Sequence, residues 1–151
     1  MRDPQWLNHR EMRTWQSFLA AGALVGREIE HHLKQEGLSH TQYEVLVRLS
    51  EAADGAVRMT ELADALYTSK SGLNYQVTLL EKAGLARRES CPTDVRGVLA
   101  VITDAGRARL AEIAPGHVDT VRRALIDALT PAQQKMVAEG LGEVARRLAD
   151  R

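Results

Sequence analysis

The chain has 151 residues, with 20 Lys and Arg balanced by 20 Asp and Glu, 44% hydrophobic residues and a single cysteine. That length supports one domain with a real core, and the composition is that of an ordinary soluble globular protein. The zero net charge does not advertise nucleic acid, one cysteine excludes an internal disulfide framework, and nothing is apolar enough for a signal peptide or a membrane span, so a cytoplasmic protein is expected.

The first helix is predicted from about Asn8 to Glu36. It carries Met12, Trp15, Phe18, Leu19, Leu24, Val25, Ile29 and Leu33 and stops at Gly37. Ser39-His-Thr-Gln42 is a capping-box pattern that opens a second helix with Tyr43, Leu46, Val47 and Leu49 inward. Gly55 marks the following loop, and Thr60 is placed to cap a short third helix, TELADAL. After the brief turn Tyr67-Thr68-Ser69 comes a fourth helix ending at Gly84, which completes a helix-turn-helix.

This fourth helix has two faces of opposite character. Leu73, Val77 and Leu80 form an apolar stripe that must meet a core. Ser71, Asn74, Tyr75, Thr78 and Lys82 occupy the other side, with Lys70 at its start. That face offers short hydrogen-bonding groups, an aromatic ring and cations without a carboxylate, so it can approach phosphates and base edges without repulsion. A solvated surface is the alternative for such a face.

Leu85 to Cys91 and Val98 to Ile102 read as two strands joined by the turn residues of PTDVRG. Arg87, Arg88 and Arg96 make this hairpin a basic wing. Arg87 and Arg88 alternate across a strand, so one of the two points towards DNA. Thr103-Asp104 caps a fifth helix that Pro115-Gly116 is expected to kink or break, with resumption through Val118, Val121, Leu125 and Leu129. Thr130-Pro-Ala-Gln133 is a strong start for the last helix, which places Val137, Leu141, Val144 and Leu148 on one side.

The expected fold is therefore mainly α with a small β-hairpin wing, a winged helix-turn-helix over residues 39–103. Dimerisation helices flank it over 8–36 and 117–149, within a single domain 1–151. The terminal apolar stripes exceed what a small winged domain can bury, so a second copy of the chain is the expected partner.

At LLEKAGLARRESCPTDVRGVLAVITDAGRARL the chain resembles the MarR family of bacterial transcriptional regulators, over nearly its whole length. The resemblance rests on Leu80-Glu81, Gly84-Leu85, Arg87-Arg88, Asp94-Val95-Arg96-Gly97 and Thr103-Asp104-Ala105-Gly106. It implies a homodimer that binds double-stranded DNA at a pseudo-palindromic operator, in the manner of a ligand-responsive repressor. It also implies that Arg96 reaches the minor groove, that Asp94 holds the wing in shape through a salt bridge while Gly97 is a second wing-shaping residue, and that a small aromatic or anionic effector releases the DNA. Two positions depart from the pattern. Val95 stands where many relatives carry a second Arg, and Asn74 where relatives often carry Ser or Thr. Asn is able to pair bidentately with adenine.

Bland alternatives stand beside several residues. Trp15 is the one candidate for stacking a ligand, and packing is its other reading. His31, His32 and His40 with Glu28 and Glu36 offer a possible metal set, but no second close pair or cysteine supports it, and no metal site or cofactor is expected. Cys91 is read as a plain strand-end residue with a redox switch as the alternative. No enzyme signature appears. The other class of function is a winged-helix dimer that acts as a protein-interaction module without DNA binding.

Overall fold

A computed structural model describes Met1 and residues 3–151. The elements in chain order are α1 (His9–Gln35), α2 (His40–Glu51), β1 (Ala56–Arg58), α3 (Met59–Ala65), α4 (Lys70–Lys82), β2 (Ala86–Cys91), β3 (Asp94–Ile102), α5 (Asp104–Ala124), a 3-10 turn (Ile126–Ala128) and α6 (Pro131–Ala149). The chain forms two compact units, one of Glu30–His117 and the other of Met1–Ile29 with Val118–Arg151.

Local signals set most of the helix ends. Asn8 and Glu11 bond reciprocally at the start of α1, each backbone N–H donating 2.9 Å to the other's side chain. Full capping boxes open α2 (Ser39, Gln42) and α6 (Thr130, Gln133), with Pro131 in the first turn of α6. At the other ends, Gly37 and Gly84 take φ of 77° and 74°, the left-handed geometry that closes a helix by a 6→1 bond. Leu38 N–H donates to Leu33 O in the first case and Leu85 N–H to Leu80 O in the second. The turn after α3 closes the same way, Thr68 N–H donating to Ala63 O, but there the left-handed residue is Tyr67, at φ 52°. A side chain in that region costs roughly 1–2 kcal/mol, which glycine avoids.

Three readings of the sequence are corrected. Thr60 does not cap α3: the N-cap position falls on Arg58, without a side-chain bond, because the preceding residues pair as β1. The sheet consequently has three antiparallel strands in the order β1-β3-β2, with Val57 opposite Ala100 and Arg88 also opposite Ala100 from the other side. Finally, α5 runs through Pro115 and Gly116 without a break and stops at Ala124, where the 3-10 turn takes over. Pro115 removes a single N–H from the ladder, and Ile113, 1% exposed, anchors the turn before it. Gly116 serves close approach: a Cβ there would lie 2.8 Å from the ring of His32.

The core belongs to the Glu30–His117 unit. Leu33, Leu46, Leu49, Leu62, Leu73, Leu80, Val45, Val77 and Ile113 are the largest fully buried side chains. In the other unit only Ile29 and Thr120 are buried among the described residues, and α6 has no buried residue at all.

A joint fixes the wing's root to α5. Thr103 Oγ1 donates to Gly84 O at 2.7 Å and accepts from Gly106 N–H at 3.0 Å, while Thr103 N–H donates to Leu85 O. The first turn of α5 therefore lies against the turn between α4 and β2. Gly106 makes this possible, since a Cβ there would sit 2.1 Å from Leu85 O, a backbone atom that cannot step aside. Gly106→Ala is expected to destabilise by about 1–3 kcal/mol, the usual range for overpacking. Thermal unfolding checks this, and an unchanged melting temperature would dissolve the joint.

A second expectation concerns pH. The ring of His117 on α5 lies against Tyr43 of α2, tilted by 34° with centroids 4.3 Å apart, and its Nδ1 is buried without a hydrogen-bond partner among the described residues, as is Nε2 of His32 on α1. Desolvation holds the His117 pKa below 6.5; Glu44 opposes that shift, and His40 and His32 add to it. The unfolded chain then binds more protons than the folded one below that pH, so stability is full above 6.5 and falls as pH drops. Melting temperature should decline on acidification, and His117→Phe should flatten the decline. An identical acid slope in that variant would acquit His117.

Candidate nucleic-acid interface

Burial of Leu73, Val77 and Leu80 turns the opposite side of α4 outward. Ser69 caps the helix, accepting from Gly72 N–H at 3.0 Å, so Lys70 and Ser71 stand in the first turn, both exposed. Asn74 and Tyr75 follow, also exposed, with Thr78 half-buried one turn later and Lys82 exposed at the end. A groove runs beside this face, lined by Met59 and Thr60 of α3, Lys70, Ser71 and Asn74 of α4, Arg88 of β2 and Val98 of β3. It adjoins a second depression lined by Arg58, Met59, Thr60, Asp94, Arg96 and Gly97. The polar face of α4 and the wing thus share a surface through the start of α3.

The wing owes its shape to a break in pairing. Arg87 to Ser90 pair regularly with β3, but Cys91 then pairs with Asp94, leaving residues 95–97 out of register. Arg96 sits in this excess, exposed. Asp94 braces it: Oδ1 accepts from Arg96 N–H at 3.0 Å, and Oδ2 lies 3.9 Å from Nη1 of Arg58. Arg58 Nη2 also donates to Thr93 Oγ1 at 3.1 Å. Gly97 has no room for a side chain, because a Cβ would lie 2.9 Å from that of Cys91. Cys91 is itself buried, and the hydrogen bond from Thr93 is the leading cause that lowers its pKa.

The two wing arginines part company. Arg87 is exposed and its Nε donates to Glu89 Oε1 at 2.8 Å, two residues along the same strand face. Arg88 points the other way, onto α4. Its guanidinium pairs with Glu81 and donates to the Asn74 carbonyl at 2.8 Å, Asn74 Oδ1 at 2.6 Å and Thr78 Oγ1 at 3.1 Å. Glu81, the one carboxylate of α4, is thereby consumed inside the fold. Lys70 and Arg96 form no ion pair among the described residues, so the groove and the depression beside it each have a cation to offer a phosphate.

Some residues of this surface carry no mark in the sequence. Met59 and Thr60 reach the groove because β1 sets the start of α3 against β3. Arg58 reaches the wing from the same strand end. Tyr67 is 78% exposed in the turn before α4, and its left-handed backbone is visible only in the structure. Trp15 lies in the other unit, half-exposed and stacked on Phe18 with centroids 6.2 Å apart. No His, Cys, Asp and Glu group suited to a metal ion occurs among the described residues.

Comparison with known proteins agrees with this geometry. A model described as MarR family matches residues 36–97. AbsC, a MarR family transcriptional regulator from Streptomyces coelicolor, is 38% identical and superposes with a TM-score of 0.93, over 98% of this chain and 100% of that one. Sco3205, a MarR family regulator from the same organism solved in complex with DNA, is 42% identical, with a TM-score of 0.87 over 98% of this chain and 91% of its own. The transcriptional repressor YetL of Bacillus subtilis is 27% identical over 80% of this chain and 72% of YetL. With identities of this order sustained over nearly the whole length, on a fold that includes the wing, the chain belongs to the MarR family of transcriptional regulators.

Proposed function

We propose that this DNA-binding transcriptional regulator acts as a homodimeric repressor on a pseudo-palindromic operator and that a small aromatic or anionic effector releases it. The observation that carries the DNA-binding reading is the carboxylate-free face of α4, whose groove adjoins, through Met59 and Thr60, the depression that holds Arg96 of the wing, a side chain with no ion pair among the described residues. In this reading Lys70, Ser71, Asn74, Tyr75 and Thr78 meet the major groove, and Arg96 meets the minor groove beside it. Arg87 contributes charge at the edge, and Asp94 and Gly97 hold the wing's form. DNA contacts of this kind suit a cytoplasmic protein, and no helix among the described residues is long and apolar enough to cross a membrane.

The dimer reading is supported by the unit of Met1–Ile29 and Val118–Arg151. Trp15, Phe18 and Leu19 of α1 and Leu141, Val144 and Leu148 of α6 are all between 45% and 60% exposed. Each such side chain gains about 1.5–3 kcal/mol when buried, and helices capped this well do not need to unfold to find cover. A second copy packed about a two-fold axis supplies it and places two α4 helices on successive major grooves. Light scattering is expected to give twice the chain mass at micromolar concentration. Leu141→Asp should produce monomers or unfold the chain, because an unpaired carboxylate at a packed interface is costly. A wild-type monomer would refute the two-fold reading.

Operator affinity should fall steeply with salt as phosphate contacts release counterions. Arg96→Ala is expected to weaken binding and reduce the salt slope by about one, while leaving melting temperature and dimer mass in place. Unchanged binding would remove the wing from the mechanism. An effector shifts this equilibrium only if it prefers the DNA-free conformation. The same titration in the presence of a panel of aromatic carboxylic acids tests for it, with Trp15→Ala as the control. No response to any of them would point to a constitutive repressor.

A further inference from the structure

Asn74 leaves α4 on its exposed face, yet its amide is not free to turn. Arg88 reaches it from β2, with Nη2 2.6 Å from Oδ1 and 2.8 Å from the Asn74 carbonyl. A guanidinium only donates, so the atom of Asn74 that faces it is the carbonyl oxygen, since the flipped amide would set N–H against N–H. Charge assistance makes this the stronger class of hydrogen bond. Arg88 is itself held: Glu81 takes both its Nη1 and, at 3.2 Å, its backbone N–H. Thr78 is set by the same network, its hydroxyl donating to Asn74 O at 2.9 Å while its oxygen accepts from Arg88.

With one lone pair of Oδ1 taken by a guanidinium, Asn74 offers a base the two donors of Nδ2 and, beside them, an oxygen whose remaining lone pair sits in the positive potential of Arg88. Recognition of adenine by Asn uses both ends of the amide, Nδ2 donating to N7 and Oδ1 accepting from the N6 amino group. Here that amino group would have to bring its positive N–H edge up to an oxygen that already faces a cation, whereas a base acceptor in the same place is attracted by it. Guanine presents only acceptors at the corresponding edge, N7 and O6. We infer that Arg88 is a positioning residue that fixes Asn74 as a hydrogen-bond donor, so that the half-site base read by Asn74 is guanine in preference to adenine. The inference rests on the reading of α4 as the helix that enters the major groove. It moves Arg88 from a contact with DNA to a contact that decides what another residue reads.

Selection of half-sites from a randomised duplex pool by wild type, Asn74→Ala and Arg88→Met tests this. The base read by Asn74 is the one whose preference disappears in Asn74→Ala. Wild type should select guanine there, with about fivefold or greater loss for adenine. Hypoxanthine, which keeps N7 and O6, should bind within about twofold of guanine. Arg88→Met should bring adenine and guanine together at that position and leave the others unchanged. The hypoxanthine and adenine arms use the wild-type chain, so they decide the matter even where Arg88→Met fails to fold. Adenine selected by wild type overturns the inference, as does an Asn74→Ala profile identical to wild type. A folded Arg88→Met protein that loses affinity equally on specific and random duplexes also overturns it, since that marks a phosphate contact. A wild-type chain that retains no duplex refutes the DNA-binding reading itself and takes the inference with it.

Discussion

Leu73, Val77 and Leu80 are at most 1% exposed, and their burial leaves α4 no freedom to rotate about its own axis. In a 3.6-residue helix that one constraint decides which side chains remain outside. Asn74, Tyr75 and Thr78 are carried outward because their neighbours in sequence are locked inward. The remaining degrees of freedom are removed at the two ends of the helix. Ser69 fixes its start through the cap to Gly72, and Gly84 fixes its end, where Thr103 binds the Gly84 carbonyl. Gln76, on a third side, receives hydrogen bonds from Gln42 and Ser39 at the start of α2. A helix so pinned presents its polar face as a rigid template, which is what base readout demands of the element that performs it.

Much of this was legible in the sequence because it rests on local chemistry. Capping boxes at Ser39 and Thr130, glycine at the ends of α1 and α4, and the spacing of Leu73, Val77 and Leu80 involve residues within two turns of one another. What escaped depends on contacts between distant segments. Residues 56–58 are too short to show a strand period, and they become β1 only because β3 offers an edge. Pro115 signals a kink or a break, yet α5 is continuous through it, and Gly116 beside it answers to the ring of His32. Tyr67 takes a left-handed turn usually given to glycine, and no neighbour in sequence announces that. The pairing of Arg88 with Asn74 spans 14 positions and joins a strand to a helix, so a count of basic residues places Arg88 among the DNA contacts without distinguishing its task.

The two units are stabilised on different terms. Glu30–His117 contains nearly all of the buried apolar side chains and is closed by the Thr103–Gly106 joint. In the other unit, capping and exposed ion pairs such as Glu143 with Arg146 and Arg147 favour the helices without burying them. Exposed pairs of this kind contribute little because water and salt screen them, far less than an uncovered apolar stripe forgoes. Helix formation there is a local matter, while the reason for keeping those particular side chains apolar has to lie in a second surface.

In the proposed reading, affinity and specificity fall to separate devices on the DNA-facing side. The wing's cation is held by Asp94, Arg58 and the out-of-register residues 95–97, and none of these touches α4 through a hydrogen bond or ion pair among the described residues. The readout face is held by Arg88 and Glu81, and neither is bonded to the wing tip. Groups that share no partner act on binding nearly independently. On the reading proposed here, a change at the wing therefore scales the attraction to any duplex, while a change in the Arg88 network alters which duplex is preferred. Such a division lets operator sequence drift under selection of a few residues around Asn74 while the fold, the wing and the phosphate contacts stay as they are.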